Sequence, residues 1–169
     1  MISLRPLAGA ILTSALLTGA AAVPAAAATQ DTVAVSSAET AARPGNGKIL
    51  YARISGGQGT LKIKNGTAKD AVVTLVRGRA KAISIYVRAR SKTAINDVRD
   101  GTYRIYFTTG HRFSVSKGRF TSNASYQRFD DRLRFTTTAT TSTIWSLTLN
   151  PVKGGNARTS GVDPNDFPA

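Results

Sequence analysis

Lys62, Lys64, Arg88, Arg104, Arg132 and Arg134 each stand beside apolar residues in short runs where apolar and polar positions alternate. In a strand, that alternation sends every second side chain to the same face. The six cations are therefore expected on outward faces, with Tyr86 and Tyr106 on the outward side of their own strands. A basic sheet face carrying exposed tyrosines can hold a polyanion by neutralising its charge and stacking on its rings. The competing meaning is solvation, since cations on strands keep a chain soluble and discourage edge-to-edge pairing. Arg77, Arg79, Lys81, Arg90 and Lys92 add charge in the expected turns. The whole chain carries 23 Lys and Arg against 9 Asp and Glu, a net charge of +14.

Other chemistry has few residues to work with. There is no cysteine and one histidine, His111. Disulfides, thiol nucleophiles and multi-histidine or cysteine metal sites are excluded. A small hydrolase would use His111 with a carboxylate such as Asp130 or Asp131. No serine stands in a G-x-S-x-G setting, and the only glutamate, Glu39, lies outside the patterned region. Asp130-Asp131, with Asn123 or Asp97, is a thin start for a calcium site, because calcium takes six or more oxygens. The expectation is a non-enzyme without metal or cofactor. Asn65-Gly-Thr and Asn123-Ala-Ser match glycosylation acceptors, which matter only in a host that glycosylates exported chains. Trp145 alternates with Leu147 and Leu149, which predicts a core residue.

The elements that must position these residues begin after an address. Residues 1–28 hold Arg5, an apolar run over Leu7–Val23, Pro24 and an Ala-rich cleavage region, the grammar of a secretory signal peptide. Losing Arg5 with the leader lowers the net charge by one. No second long apolar run follows, so no transmembrane span is expected in the mature chain. Residues 29–47 are rich in Ala, Ser, Thr and Gly and predict a disordered spacer. Residues 48–152 form the patterned region. Leu61/Ile63, Asp70–Val76, Ile83/Ile85/Val87, Tyr103/Ile105/Phe107, Leu133/Phe135 and Trp145/Leu147/Leu149 read as strands bounded by turn residues. Thr93–Val98 reads as an extra strand. His111–Arg128 is weakly patterned and predicts a long loop or irregular edge strands. The fold class is all-β, an antiparallel two-sheet β-sandwich of about seven strands. Residues 153–169 read as a coil tail whose Val162 and Phe167 are suited to docking.

Two resemblances accompany this reading. Val98-Arg-Asp-Gly-Thr-Tyr-Arg-Ile-Tyr-Phe107 resembles the strand start of carboxypeptidase-regulatory-like and transthyretin-like β-sandwich modules. There the glycine makes a turn and the tyrosine opens a core strand, roles that fall to Gly101 and Tyr103. Thr60–Val76, Tyr86–Ala89, Asp100–Gly110, Arg119–Thr121, Phe129–Asp131 and Trp145–Arg158 together resemble an uncharacterised family of exported actinobacterial proteins and domains. The chain departs from it at Thr121-Ser-Asn-Ala, where relatives carry a charged pair after the threonine. That resemblance implies a bacterial, exported β-sandwich and no assigned catalytic residues.

The expected function is an exported, non-catalytic binding module, either released or held non-covalently at the cell surface. Its partner would be an anionic cell-wall polymer or a protein, with nucleic acid bound only nonspecifically. The alternatives are the His111 hydrolase and a structural or assembly protein that pairs through a sheet edge.

Overall fold

The computed structural model describes residues 43–150 and 157–168. The expected leader and most of the expected spacer lie outside the described residues. Alternating apolar residues between Gly, Asn and Asp turns produce nine strands: β1 Ile49–Ala52, β2 Gly59–Lys64, β3 Asp70–Arg77, β4 Ala80–Val87, β5 Lys92–Val98, β6 Gly101–Ser114, β7 Arg119–Phe135, β8 Ile144–Thr148 and β9 Thr159–Gly161. They form a six-stranded sheet in the order β1-β4-β3-β6-β7-β9 and a three-stranded sheet in the order β5-β2-β8. The expected β-sandwich is observed, with two strands more than the sequence suggested. All pairs are antiparallel except β2 with β8. No helix of the described residues is long and apolar enough to cross a membrane.

The inner faces of the two sheets share one core. Leu61 and Ile63 of β2, Ile95 of β5 and Leu147 of β8 meet Val73, Leu75, Ile83, Ile85, Ile105 and Phe107 of the larger sheet. Burying each of these side chains contributes about 1.5–3 kcal/mol. Tyr103 is fully buried, edge-on to Phe135 at 5.7 Å, and its hydroxyl donates to the Arg99 carbonyl at 2.7 Å. A tyrosine reaching back to upstream backbone pins a sandwich corner in this way. Gly101 precedes it at φ +150°, a conformation L side chains rarely adopt.

The region His111–Arg128 is not a loop, as its weak pattern suggested. It is the far half of one long hairpin, β6 and β7. β3 ends against β6 where Asp70 pairs with Gly110, so the hairpin runs on without a β3 partner. A bulge between Thr109 and His111, with positive φ at Arg112 and Asn123, curls the free end back over the outer face. Phe113 and Phe120 land on Val72 and Tyr86, making a second small core outside the main one. The two phenylalanine rings lie 5.1 Å apart, and Phe113 lies 5.3 Å from the Tyr86 ring.

Gly110 permits that curl by close approach. A Cβ there would stand 2.6 Å from Phe120 Cβ and 2.7 Å from its Cγ. Gly110→Ala is expected to lower the unfolding free energy by about 1–3 kcal/mol, as overpacking does. Chemical denaturation checks this; an unchanged midpoint would mean that Phe120 does not pack closely against Gly110.

Two end segments also differ from expectation. Residues 43–47, assigned to a disordered spacer, are tied to the sheet: Gly47 N–H donates to the Tyr86 carbonyl at 2.8 Å, and Pro44 is buried. The tail, read as coil, adds β9 to β7 through Gln127–Phe129, while its Phe167, marked in the sequence as suited to docking, is buried against Tyr126 and Tyr106.

Candidate functional site

The six predicted cations do not form one surface. Lys62 and Lys64 lie on the exposed face of the three-stranded sheet. Arg104, Arg132 and Arg134 lie on the outer face of the six-stranded sheet, on the other side of the sandwich. Arg88 follows β4 and is half-buried. Its Nε donates to the Pro44 carbonyl at 3.0 Å and its N–H to Asn46 Oδ1 at 3.0 Å, so it anchors the segment before β1.

Tyr86 corrects the expectation of an outward stacking residue. It does point away from the main core, but the curled hairpin covers it completely. Tyr106 is half-buried, with Phe167 edge-on at 6.0 Å. Neither ring offers an open stacking platform. Trp145 corrects the opposite expectation. It pairs with Leu61 on the inward side but sits at the rim, 39% exposed, and its Nε1 donates to the Arg134 carbonyl at 2.9 Å.

The hydrolase constellation is not assembled. His111 is exposed and pairs with Ser122, eight positions along β7 from Asp130. At strand rise that is on the order of 25 Å. Asp130 accepts from Ser160 Oγ at 2.5 Å, and Asp131 is exposed. No group of three or more His, Cys, Asp or Glu able to hold a metal stands among the described residues.

The exposed face of the three-stranded sheet carries the better-formed cluster of cations. Lys64 stands directly opposite Lys92 across β2 and β5, and Lys62 lies two residues along, between Ala94 and Ser146. A groove of about 470 Å³ runs here, walled by the three lysines and by Ala94, Ser146 and Thr148. No acidic residue lines it. Lys92 was missed as a partner because it reads as a turn residue; its membership follows from strand register, which the local sequence does not reveal. On the other sheet Arg104 faces Arg132, Thr102 faces Arg134, and Tyr106 faces Arg128. Like charges directly opposite on neighbouring strands destabilise a sheet unless something neutralises them. No acid among the described residues does so, since Arg43–Asp70 is the only ion pair among them.

That one pair belongs to a different arrangement. The Asp70 carboxylate accepts from Arg43 Nε at 2.8 Å and from Arg43 Nη2, from Tyr86 Oη at 2.5 Å and from Ala89 N–H at 2.8 Å. Burial, the largest influence, pushes its pKa up. The hydrogen bonds from Arg43, Tyr86 and Ala89, with the Arg43 charge, outweigh that and hold the carboxyl below its ordinary value. Burial and the bond to Asp70 push the Tyr86 hydroxyl up to about 12. Four donors on one carboxylate make a clasp between the segment before β1 and the sheet.

These features define the chain as a two-sheet β-sandwich with cationic outer faces. No family model, curated protein or solved structure matches it.

Proposed function

We propose that this chain is an exported, non-catalytic module that binds an anionic polymer of the cell envelope, with the lysine groove as its principal contact. The observation that carries the reading is the juxtaposition of like charges, Lys64 against Lys92 and Arg104 against Arg132, with no acidic partner for any of them among the described residues. A polyanion supplies the missing counter-charge on both faces. Export and retention at the envelope rest on the leader grammar of residues 1–28 and on the resemblance to exported actinobacterial β-sandwich proteins.

The lysine groove is favoured over the arginine face because acids sit close to the arginines in sequence, at Asp130 and Asp131, whereas none lines the groove. Replacing Lys62, Lys64 and Lys92 together with Gln is expected to weaken binding to isolated bacterial cell walls at least tenfold. It should also flatten the dependence of log K on log salt by about 2–3, roughly one unit per lost phosphate contact. Replacing Arg104, Arg132 and Arg134 should do less. Equal retention of the lysine variant and the parent across the salt series would remove the groove from the account.

A protein partner is the second reading. β8 is an outer strand of its sheet, and Ile144 on it is 57% exposed beside the half-open Trp145. An extended segment could add there as a further strand. Ile144→Lys would block such pairing and leave polyanion binding intact.

A further inference from the structure

Strand register sorts the exposed face of the three-stranded sheet into rungs. Lys62 of β2 lies between Ala94 of β5 and Ser146 of β8, and Lys64 lies between Lys92 and Thr148. All six residues are exposed and line the lysine groove. Each rung sets a lysine of β2 directly beside a hydroxyl of β8, Lys62 with Ser146 and Lys64 with Thr148. The rungs are two residues apart along both strands, about 7 Å. Asp97, the only acid on these three strands, lies three residues past Ala94 in the direction away from Lys92, about 10 Å along β5.

A lysine ammonium is a point charge on a long flexible stem, so it supplies attraction without fixing a distance. Ser146 and Thr148 have short side chains whose positions follow the backbone. Their hydroxyls therefore set the spacing that a bound polymer meets. A hydroxyl beside an ammonium suits a group with one negative charge and more than one acceptor oxygen, because its hydrogen bond to such a group is charge-assisted. A phosphodiester is such a group. Where phosphates are joined by three-carbon polyols, successive phosphorus atoms stand six skeletal bonds apart. Two extended residues also make six skeletal bonds and span about 7 Å. An extended polymer of this kind, laid along β2, places one phosphate on each rung. Carboxylates carried two sugar rings apart are joined by a longer path and miss the second rung. A single-stranded nucleic acid has the same six-bond spacing, but no aromatic ring lines the groove for its bases to stack on.

We propose that the groove selects a linear polyol phosphodiester, one phosphate to each rung. Lys62 and Ser146 hold one phosphate. Lys64, Lys92 and Thr148 hold the next. This assignment rests on the reading of the groove as a polyanion site, and adds to it the class of polymer and the two hydroxyls that recognise it.

Titration calorimetry of the purified chain with three oligomers matched in number of charges tests it: poly(glycerol phosphate), hyaluronate and oligothymidylate. The glycerol phosphate oligomer should bind about fivefold more tightly than hyaluronate, and oligothymidylate no more tightly than the glycerol phosphate oligomer. Ser146→Ala with Thr148→Val should weaken glycerol phosphate binding about fivefold and leave hyaluronate binding unchanged, which erases the preference. Both positions are exposed, so this variant should keep the parent's melting temperature. Lys62→Gln should flatten the salt dependence of glycerol phosphate binding by about 0.7, one phosphate contact, whereas Lys92→Gln should leave the slope unchanged because Lys64 still holds that phosphate. Hyaluronate binding as tightly as glycerol phosphate, tighter binding of oligothymidylate, or a glycerol phosphate affinity untouched by the hydroxyl variant would each overturn the proposal. Equal binding of all three oligomers that is lost when Lys62, Lys64 and Lys92 become Gln removes the phosphodiester assignment and keeps the polyanion groove. Binding of none of them at low salt removes both.

Discussion

Asp70→Ala is expected to lower the unfolding free energy by about 3 kcal/mol, among the largest effects of any single substitution outside the main core. The replacement strands two donors at once, the buried Tyr86 hydroxyl and the part-buried Ala89 N–H. Arg43 loses its partner too, but its side chain is 54% exposed and can turn to water, so its share is small. The order of effects should therefore be Asp70→Ala, then Tyr86→Phe at about 1–2 kcal/mol, then Arg43→Gln below that. Urea denaturation of the three variants measures the order. Arg43→Gln costing as much as Asp70→Ala would contradict the description of the clasp.

The same clasp fixes how stability varies with pH. Asp70 has a folded pKa below its ordinary 3.8, so its contribution is complete above about pH 4 and is lost as pH falls through the depressed value. Tyr86 has a folded pKa of about 12 against an ordinary 10.0. Its contribution is complete below pH 10 and is lost between about 10 and 12. A plateau between these limits is expected, and Tyr86→Phe should remove this contribution to the alkaline fall while only reducing the acid one, because Arg43 and the Ala89 N–H still hold the Asp70 carboxyl down. An alkaline limb of the same size in the variant would mean that Tyr86 does not titrate from the clasp.

Asn65→Ala is expected to cost about 3 kcal/mol as well, for a different reason. Asn65 is fully buried at the end of β2. Its Nδ2 donates to the carbonyls of Lys69 at 2.8 Å, Arg88 at 3.1 Å and Val87 at 3.3 Å. Its Oδ1 accepts from Thr67 N–H at 3.1 Å and Thr67 Oγ1 at 2.8 Å. One side chain thus closes the turn before β3 and joins it to the end of β4. Asn65→Asp should be worse than Asn65→Ala, since a carboxylate would face three carbonyl oxygens with no proton to offer. Thermal unfolding of both variants checks this, and a milder effect of Asp would contradict the donor assignment. The bonds also explain why the Asn65-Gly-Thr acceptor sequence is structural here: its amide is consumed inside the fold.

Local alternation was enough to read the sandwich. Leu61 and Ile63 turn inward while Lys62 and Lys64 turn outward, and Tyr103, Ile105 and Phe107 do the same around Arg104. What local patterning could not carry was long-range. The burial of Tyr86 depends on Phe113 and Phe120, which arrive there only because a bulge at Thr109/His111 curls a hairpin. The bulge also breaks the period that would have marked residues 111–128 as strand. Arg43 meets Asp70 across 27 residues, through a segment whose composition predicts disorder. Lys92 joins Lys64 by strand register alone. Phe167 stands out in the polar tail as a docking residue, but its place against Tyr106 and Tyr126 follows from the fold and not from the tail's own sequence.

Retention of the purified chain on isolated bacterial cell walls and on DNA, followed across a salt series, tests the central claim most directly. The account predicts strong retention at low salt that falls steeply as salt rises, with walls preferred over DNA and both weakened by neutralising Lys62, Lys64 and Lys92. No retention on either support at low salt would contradict it, and the facing lysines and arginines would then serve solubility alone.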